Sequence, residues 1–171
     1  MLQIIPTDTC YGLAWALTPE DYLEIYRLKG RDFSKPLALL VRDYDDMKGY
    51  IEISDEQIDA LREYPHPWSF LGMRKTDYIL PPYLDSLQYE RLSLRVASVC
   101  MLWLDASELE FPLFLTSANR SGETESTTLR EARRIFPWVD GIDGGVCDRP
   151  PSDIFALWND GELQYLRRNY E

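Results

Sequence analysis

The first 64 residues alternate strand-length apolar runs with helical segments, and this order restricts the chain to few folds. Residues 1–5 form an apolar run that ends at Pro6 and is too short for a helix, so they predict a buried strand. Residues 37–41 predict a second strand for the same reason. Because a helical segment follows each run, the chain is expected to begin as an α/β fold.

Capping residues place the two helices of this N-terminal part. Thr18 followed by Pro19 predicts an N-cap and a first helical position, and an apolar face continues to Lys29 before a stop near Gly30. Ser54 begins the second helix with capping-box chemistry. Each helix has one apolar face, which is typical of helices that flank a sheet.

After Pro65 turn residues become frequent, which favours shorter strands. We predict these strands at residues 68–73, 78–80, 92–97, 111–115, 155–158 and 163–166. The last two flank Asp160-Gly161, which suits a hairpin turn, and Thr127 or Thr128 is expected to cap a helix between the strands. The sheet is therefore expected to be mixed.

Composition indicates one domain over residues 1–171, because a chain of 171 residues that is 45% hydrophobic can bury one core. The net charge of −11 argues against a protein that mainly grips a polyanion, although it leaves a local basic pocket open. Cys10, Cys100 and Cys147 lack metal-ligand spacing and predict reduced thiols. With no membrane span or signal segment visible, a cytoplasmic protein is expected.

Polar residues follow the first strand directly. Residues 7–12 carry hydroxyls and a carboxylate, in a place where open α/β sheets form ligand crevices. The same residues also suit a capped turn, in which Thr and Asp bind local backbone donors. Residues 116–122 follow a later strand and admit the same two interpretations, a polar binding loop or a plain turn.

Three cationic residues, Lys29, Arg31 and Arg95, are candidates for binding an anion, and the chain has one histidine. Lys29 and Arg31 lie at a helix C-terminus, where they complement the helix dipole or bind one anion together. Arg95 lies within an apolar run and needs an anionic partner, either a structural Asp or a ligand carboxylate. His66 lies between two prolines and is interpreted as a turn residue, while 140–141 and 143–145 are expected to be ordinary turns.

Five motifs in order resemble those of the YrdC/YciO family through nearly the whole chain. They read PTDTCYGL, KGRDFSKPLALLV, LSLRVAS, LTSANRSGE and, after a GG pair, PPSDI with a terminal YLRRN. The resemblance implies a twisted mixed sheet with flanking helices around a concave substrate cavity. It also implies a threonylcarbamoyl-AMP synthase, a nucleotidyltransferase that uses L-threonine, bicarbonate and ATP, releases pyrophosphate and supplies tRNA threonylcarbamoyladenosine modification.

The resemblance also implies roles for individual residues. The predicted roles are threonine binding by Thr9, Tyr11, Arg95 and Ser152, nucleotide binding by Lys29, Arg31, Ser117, Asn119 and Arg167, with Arg168 as an alternative to Arg167, and loop shaping by Thr7. Lys29 and Arg31 are also the predicted catalytic pair. They are expected to neutralise the phosphates together with Mg²⁺ brought by ATP, with no metal bound by the protein itself and no covalent nucleophile. Expected partners further include tRNA and downstream threonylcarbamoyl transferase proteins.

Departures from the family pattern indicate a divergent member that begins at the first strand. Asp32, Ala97 and Asp153 replace the usual residues near the expected pocket, and the family's PGP turn reads Pro65-His66-Pro67. Both aspartates are expected to weaken anion binding unless they pair with cations. Two alternatives therefore remain: a YciO-like protein that binds RNA or a nucleotide, and a domain of the carbamoyl-transferring kind in hydrogenase-maturation proteins, against which the short chain argues.

Overall fold

The computed structural model describes residues 2–101, 109–157 and 163–170. Within these residues nine strands form one sheet: β1 Gln3–Pro6, β2 Tyr11–Ala16, β3 Ala38–Val41, β4 Trp68–Met73, β5 Arg91–Val96, β6 Leu113–Ser117, β7 Asp140–Gly141, β8 Asp153–Leu157 and β9 Leu163–Arg167. The helices are α1 Pro19–Lys29, α2 Tyr44–Met47, α3 Asp55–Glu63, α4 Ala97–Cys100 and α5 Leu129–Ile135. No helix in the described part is long and apolar enough to cross a bilayer.

The strand order is β7-β1-β2-β6-β3-β5-β4-β8-β9, so neighbours in the sheet are often distant in the chain. Three pairs are parallel, namely β1 with β7, β3 with β5 and β4 with β8. The other pairs are antiparallel. This arrangement confirms the predicted α/β class and the mixed sheet.

The predicted caps are present. The Thr18 hydroxyl accepts a hydrogen bond from the backbone of Asp21 at 3.2 Å, and Gly30 ends α1 with a φ of 59°, a left-handed conformation that favours glycine. Ser54 forms a full capping box with Gln57. Of the two threonines considered for α5, Thr128 is the N-cap.

Strand β2 is the main element that the sequence does not predict, since the polar segment is expected to extend through residues 11–12 and no element is predicted for residues 13–16. Only residues 7–10 form the turn, and Pro6 already pairs with Tyr11. The β2 sequence lacks alternation of polar and apolar residues because five of its six residues are buried. At Gly12 a Cβ atom would lie 2.9 Å from Leu115 Cδ1, so a larger residue here would have to displace that side chain of β6.

Four further predictions are corrected. Residues 78–80 form a loop, since no strand of the described residues pairs with them. β6 begins at Leu113, two residues later than expected, and Ala97 begins α4. Residues Asp140–Gly141 are a short edge strand against β1 rather than a turn. The predicted hairpin pairs β8 with β9, while its Asp160-Gly161 turn and Trp158 lie outside the described residues.

Two apolar clusters cover the two faces of the sheet. Successive residues of a strand point to opposite faces, and accordingly Ile4 and Ile5 belong to different clusters. The larger cluster includes buried residues of α1, α3 and α5, whereas the smaller one includes Ala97 and Cys100 of α4. The three cysteines are free and buried. The smaller cluster covers only part of its face, and the remainder of that face forms a cavity.

Candidate functional site

A cavity of about 290 Å³ opens on the face of the sheet that carries the smaller cluster. Its walls come from the turn after β1 and from parts of β2, β3, β5, β6, β8 and β9. The lining residues are Thr7, Thr9, Cys10, Gly12, Arg31, Pro36, Ala38, Ser93, Arg95, Leu115, Thr116, Ser117, Glu125, Pro151, Ser152, Ile154 and Arg167. The volume lies near the lower end of the range of about 300–1,000 Å³ for small-molecule pockets.

Charge in this cavity differs from charge on the whole chain. Arg31, Arg95 and Arg167 line it, and Glu125 is the one acidic residue among the lining residues. The chain as a whole has a net charge of −11. The basic pocket that the sequence left open is therefore present, and walls of low dielectric strengthen its attraction for anions.

The hydroxyl of Thr7 makes several hydrogen bonds within the turn between β1 and β2, beside the backbone bond from the Thr7 N–H to the carbonyl oxygen of Cys10 at 3.2 Å. Thr7 Oγ1 donates to the carbonyl oxygen of Cys10 at 2.7 Å and accepts from the backbone N–H groups of Thr9 and Cys10, each at 3.3 Å. A further contact of 3.1 Å joins the hydroxyls of Thr7 and Thr9. Both interpretations of this segment therefore apply, because Thr7 caps the turn and the turn forms one wall of the cavity.

Arg95 has a structural partner and also lines the cavity. Its Nη2 atom donates to Asp8 Oδ1 at 2.5 Å, and its Nε atom donates to the carbonyl oxygen of Trp68 at 3.2 Å. The side chains of Arg95 and Asp8 are 9% and 11% exposed. Asp8 is the structural aspartate that the sequence offered as one partner, and it supplies the anion that a buried arginine requires, while the other donors of Arg95 are not used by Asp8. The guanidinium is thereby fixed at the cavity wall.

Lys29 does not line the cavity. Its ammonium group donates to the carbonyl oxygen of Ser117, to the carbonyl oxygen of Asn119 at 2.7 Å and to Asn119 Oδ1 at 3.0 Å. These three acceptors use all three donors of the ammonium. Burial, followed by the positive charge of Arg31, lowers the pKa of Lys29 to about 8. The structure therefore separates Lys29, which supports the 117–119 loop, from Arg31, which faces the cavity.

Arg31 is oriented by the chain that follows it. Its Nε donates to the carbonyl oxygen of Lys35 at 3.2 Å and its Nη2 to that of Pro36 at 3.0 Å. Among the described residues nothing bonds to Nη1, and Arg31 lines the cavity. The departure at Asp32 lies outside the cavity lining, where the backbone N–H of Ser34 donates to its carboxylate at 2.8 Å and lowers its pKa.

Ser117 and Asn119, both predicted to bind the nucleotide, lie in different places relative to the cavity. Ser117 lines the cavity and donates to Asn119 Oδ1 at 2.6 Å. Asn119 is buried behind it and donates to the carbonyl oxygen of Glu123 at 2.6 Å. Asn119 thus positions the loop, since its oxygen accepts from both Ser117 and Lys29.

Ser152 and Arg167 both line the cavity and are joined by hydrogen bonds. The Nε and Nη2 atoms of Arg167 donate to the carbonyl oxygen of Ser152 at 3.1 Å and 2.7 Å, and the hydroxyl of Ser152 lies 3.0 Å from that of Ser69. Arg168 instead lies over the ring of Tyr165, with its guanidinium carbon 4.8 Å from the ring centroid. Of the two arginines considered, Arg167 is the one at the cavity.

Tyr11 lies elsewhere than predicted. Its side chain is fully buried in the larger cluster, on the face opposite the cavity, because it precedes Gly12 in the same strand. Its hydroxyl donates to the carbonyl oxygen of Gly145 and accepts from the N–H of Gly144, both at 2.9 Å. The structure therefore gives Tyr11 a role in anchoring residues 143–145, not in lining the cavity.

The departure at Asp153 also points away from the cavity. This carboxylate is fully buried and accepts hydrogen bonds from the hydroxyl of Tyr64 and from the backbone N–H groups of Asn169 and Tyr170. Burial alone would raise its pKa, but these hydrogen bonds outweigh burial and the pKa of Asp153 is lowered. His66 stacks on Tyr170 with ring centroids 4.7 Å apart. Neither Asp153 nor His66 lines the cavity.

Glu125 is the cavity residue that the sequence interpretation missed. It belongs to the irregular segment before α5, where nothing in the local pattern marks it as functional. It lies beside Cys10, whose pKa rises to about 12 because of burial first and the Glu125 carboxylate second. Cys10 is therefore a neutral thiol at the cavity wall, and Glu125 is the only carboxylate among the lining residues.

Sequence comparison gives a family match over nearly the whole chain. The family model for Sua5, YciO and YrdC proteins, described as "Telomere recombination", matches residues 1–169. A protein of Methanocaldococcus jannaschii is 31% identical over 165 residues, which are 93% of this chain and 75% of that protein. The threonylcarbamoyl-AMP synthase of Mus musculus is 32% identical over 82% of this chain, which spans 50% of the mouse protein.

Structural comparison finds the same fold in three solved proteins. The nucleotide- and phosphate-bound form of full-length HypF gives a TM-score of 0.79 at 24% identity, covering 98% of this chain and 26% of HypF. P. abyssi Sua5 with L-threonine gives 0.76 at 23% identity, covering 97% and 49%. E. coli YciO gives 0.75 at 20% identity, covering 97% and 82%. At these identities the comparisons show the fold.

Proposed function

The chain belongs to the Sua5/YciO/YrdC family, and we propose that it synthesises threonylcarbamoyl-AMP from L-threonine, bicarbonate and ATP with release of pyrophosphate. The name of its mouse relative supports this reaction. The product is proposed to serve tRNA threonylcarbamoyladenosine modification in the cytoplasm, with downstream transferase proteins taking the adenylate.

One observation carries the proposal: three guanidinium groups and one carboxylate surround a single cavity. The proposed substrates present the complementary charges, namely a triphosphate, a carboxylate and an α-ammonium group. Arginine suits both anions because its planar group binds phosphate and carboxylate through paired hydrogen bonds. The charges that line the cavity therefore complement the proposed substrates, although the chain as a whole is strongly negative.

Arg95 is proposed to bind the threonine carboxylate. Asp8 and the Trp68 carbonyl oxygen already fix its Nη2 and Nε atoms, so binding would cost little side-chain entropy. Thr9 and Ser152 add hydroxyl groups to the same cavity. Glu125 is proposed to accept hydrogen bonds from the threonine ammonium group, since an amino-acid zwitterion needs an anion as well as a cation.

Arg31 and Arg167 are proposed to bind the nucleotide phosphates, and Ser117 to contact the nucleotide. Lys29 acts on the nucleotide indirectly, because it holds the loop that presents Ser117. The Mg²⁺ ion that accompanies ATP neutralises phosphate charge when bound. A cavity with Glu125 as its one lining carboxylate fits an ion that is held mainly by phosphates and water.

The proposed chemistry depends on positioning. The threonine ammonium first loses one proton to solvent. The resulting amine attacks the carbon of bicarbonate and water leaves, which gives a carbamate. A carbamate oxygen then attacks the α-phosphorus of ATP, and pyrophosphate leaves with the electron pair of the broken P–O bond. Because the carbamate is short-lived, holding it beside ATP in a cavity supplies the effective concentration that the second step needs. Arg31 and Arg167 would stabilise the charge that develops on the phosphates.

The test is release of pyrophosphate from Mg-ATP and bicarbonate, measured with and without L-threonine. We expect threonine-dependent release by the wild-type protein, loss of that release in Arg95→Lys, and normal release in Arg91→Lys. Arg91 is an exposed arginine on the same strand and serves as the matched control. If Arg91→Lys and Arg95→Lys lost the same fraction of activity, the assignment of Arg95 would be wrong.

One observation favours a second function, a protein that binds a nucleotide with the same concave face but makes no adenylate. Asp8 already accepts a hydrogen bond from Arg95 Nη2 and neutralises its charge. The Lys29 ammonium donates to loop oxygens and has no donor left for a phosphate. Under this function calorimetry would detect ATP binding that depends on Arg31, while no pyrophosphate would appear with or without threonine.

A further inference from the structure

Asp153 is a fully buried carboxylate that has no role in the proposed chemistry. It begins β8 directly after Ser152, and Ser152 lines the cavity whereas Asp153 does not. Among the described residues no lysine, arginine or histidine forms an ion pair with Asp153 within 4.0 Å. A buried charge without a cation beside it is unfavourable unless hydrogen bonds compensate for its lost hydration.

Three hydrogen bonds compensate for this burial, and two of them come from the chain after β9. The Tyr64 hydroxyl donates to Asp153 Oδ2. The backbone N–H groups of Asn169 and Tyr170 donate to Oδ1 at 2.5 Å and 3.3 Å. Burial raises the pKa of Asp153, but these hydrogen bonds lower it by more, so the net shift is downward. The carboxylate is therefore charged at neutral pH, and its charge holds the backbone of residues 169 and 170.

The chain needs such an anchor after β9 because sheet pairing ends there. Arg167 pairs with Ile154 as the last pair of the β8–β9 ladder, and a register shift interrupts the ladder just before this pair. β9 is also the edge strand, so within the described residues no strand pairs with its other side. The end of an edge strand frays unless further contacts tie it down. Asp153 provides these contacts two and three residues after Arg167.

The chain after β9 is also joined to the cavity wall. The Tyr170 hydroxyl donates to the carbonyl oxygen of Pro150 at 2.6 Å. The carbonyl oxygen of Ser152 accepts from Asn169 Nδ2 at 3.2 Å, and from Nε and Nη2 of Arg167 at 3.1 Å and 2.7 Å. Among the described residues nothing bonds to Nη1 of Arg167, so this atom remains available to a ligand in the cavity that Arg167 lines.

We propose that Asp153 is a positioning residue for Arg167. By holding the chain after β9, it fixes the end of the strand from which the Arg167 side chain reaches the cavity, and a fixed guanidinium loses less freedom when it binds an anion. The inference rests on the proposed role of Arg167 in binding the nucleotide phosphates. It reverses the expectation that this aspartate weakens anion binding, because the carboxylate lies outside the cavity lining and the cation that it positions lies within it.

The test is a double-mutant cycle on the affinity for Mg-ATP, measured by calorimetry on the full chain without threonine. Asp153→Leu keeps the approximate size of the side chain and removes both acceptor oxygens, and we expect it to weaken ATP binding about tenfold. In the Arg167→Gln background the same change should weaken ATP binding less than about twofold, because the residue that Asp153 positions is then absent.

Steady-state kinetics separates positioning from a general loss of structure. Asp153→Leu should raise the KM for ATP about tenfold and change the KM for threonine less than about threefold. Asp153→Asn retains an oxygen that can accept from both backbone N–H groups, so its KM for ATP should stay within about threefold of wild type. Leu61→Ala is the control for destabilisation, since Leu61 is buried in the larger cluster. It should lower the denaturation midpoint and leave the KM for ATP unchanged.

Amide hydrogen exchange tests the contacts without any ligand. Asp153→Leu should speed exchange at Asn169 and Tyr170 about tenfold, since their N–H groups lose an acceptor. A second variant, Asn169→Pro, removes the N–H group that lies 2.5 Å from the carboxylate and changes only an exposed residue. It should weaken ATP binding at least about threefold, and it gives a result even if Asp153→Leu does not fold.

Three results would overturn the inference. They are equal weakening of ATP binding by Asp153→Leu in the wild-type and Arg167→Gln backgrounds, unchanged ATP affinity in folded Asp153→Leu or in Asn169→Pro, and unchanged exchange at both amides. Absence of ATP binding by the wild type would also overturn it, since Arg167 would have no phosphate to bind. ATP binding without pyrophosphate release would refute the proposed synthase reaction alone, and the calorimetric cycle would still decide the role of Asp153.

Discussion

Two buried cations near the cavity, Lys29 and Arg95, are held in opposite ways. Lys29 binds three oxygens of one loop, carries no ionic partner among them and does not reach the cavity surface. Arg95 has an ionic partner in Asp8 and still forms part of the cavity wall. Both residues belong to the family's motifs, yet the geometry makes one a support of the site and the other a proposed ligand-binding group.

The difference shows that a cation in a motif is not by itself a binding residue. An ammonium group has three donors, and three fixed acceptors leave none for a ligand. A guanidinium group has five donors in a plane, so Asp8 and Trp68 can orient it while other donors remain available. The expected consequences for stability, substrate binding and pH dependence differ accordingly, and the following experiments test them.

Arg95→Ala should have the largest effect. It removes the partner of Asp8, whose side chain is 11% exposed, and an uncompensated buried charge costs about 3–5 kcal/mol of unfolding free energy. Chemical denaturation measures this loss, and pyrophosphate release should also disappear. Asp8→Asn/Arg95→Ala, which removes both charges, should recover part of the stability but none of the release. Recovery of release in this double variant would contradict the proposed role of Arg95.

Lys29→Met should destabilise the protein by about 1–3 kcal/mol, because it leaves the carbonyl oxygen of Asn119 without a donor among the described residues and removes one of two donors from the Ser117 carbonyl oxygen and from Asn119 Oδ1. The same denaturation measurement applies. Since Lys29 is proposed to support the loop and to bind no ligand, the variant should lose at most about tenfold in ATP affinity, as measured by calorimetry. A variant that kept full stability but lost about a hundredfold in ATP affinity would reverse the comparison with Arg95.

The pH dependence of stability should also distinguish Lys29. Burial lowers its folded-state pKa to about 8 from 10.5, so between these pH values the unfolded chain binds more protons than the folded one. The free energy of unfolding should therefore rise with pH across this window, by up to about 3 kcal/mol from this group. Denaturation at several pH values should show the rise in wild type and its absence in Lys29→Met. Equal slopes in the two proteins would contradict the lowered pKa.

Glu125→Gln should affect threonine more than ATP. It removes the negative charge proposed to bind the α-ammonium group, and a hydrogen bond to a charged group contributes about 1.5–3 kcal/mol. Pyrophosphate assays should therefore show a KM for threonine that is at least about tenfold higher, with little change in the KM for ATP. Glu123→Gln, an exposed change in the same loop, is the control. A larger effect on ATP would place Glu125 at the phosphates.

Tyr11→Phe should have the smallest effect. The hydroxyl bonds to residues 143–145 on the face opposite the cavity, so its loss should cost about 1 kcal/mol of unfolding free energy. The KM for threonine should stay unchanged. A large rise in this KM would restore the role that the family resemblance gave to Tyr11.

Local sequence predicted the parts of the fold that local chemistry determines. Thr18, Gly30 and Ser54 mark helix ends because their own side chains or backbone conformations make the caps. Strand β2 could not be predicted because burial of nearly the whole strand removes the alternation of polar and apolar residues that marks a strand. Its Gly12 packs against β6, which lies a hundred residues further along the chain, so no local pattern explains the glycine.

The site was predictable only to the level of residue types. The sequence required an anion for Arg95, either a structural aspartate or a ligand carboxylate, but it could not identify Asp8, because 87 positions separate the two residues. The sequence could not show that the donors of the Lys29 ammonium are used by oxygens of Ser117 and Asn119, since these contacts depend on how α1 packs against the loop after β6. Glu125 had no local signal at all, because only the tertiary fold brings it to the cavity.

The strand order has a consequence for how the protein acquires its site. The cavity joins Thr7 near the start of the chain to Arg167 near residue 170, through strands that pair across long sequence separations. Non-local pairing of this kind gives high contact order and slow folding. On the ribosome, the walls of the cavity cannot close before β9 emerges, because Arg167 of β9 is one of the lining residues. The cavity is therefore complete only after β9 has been synthesised, and during refolding it should form no faster than β8 and β9 dock on the sheet.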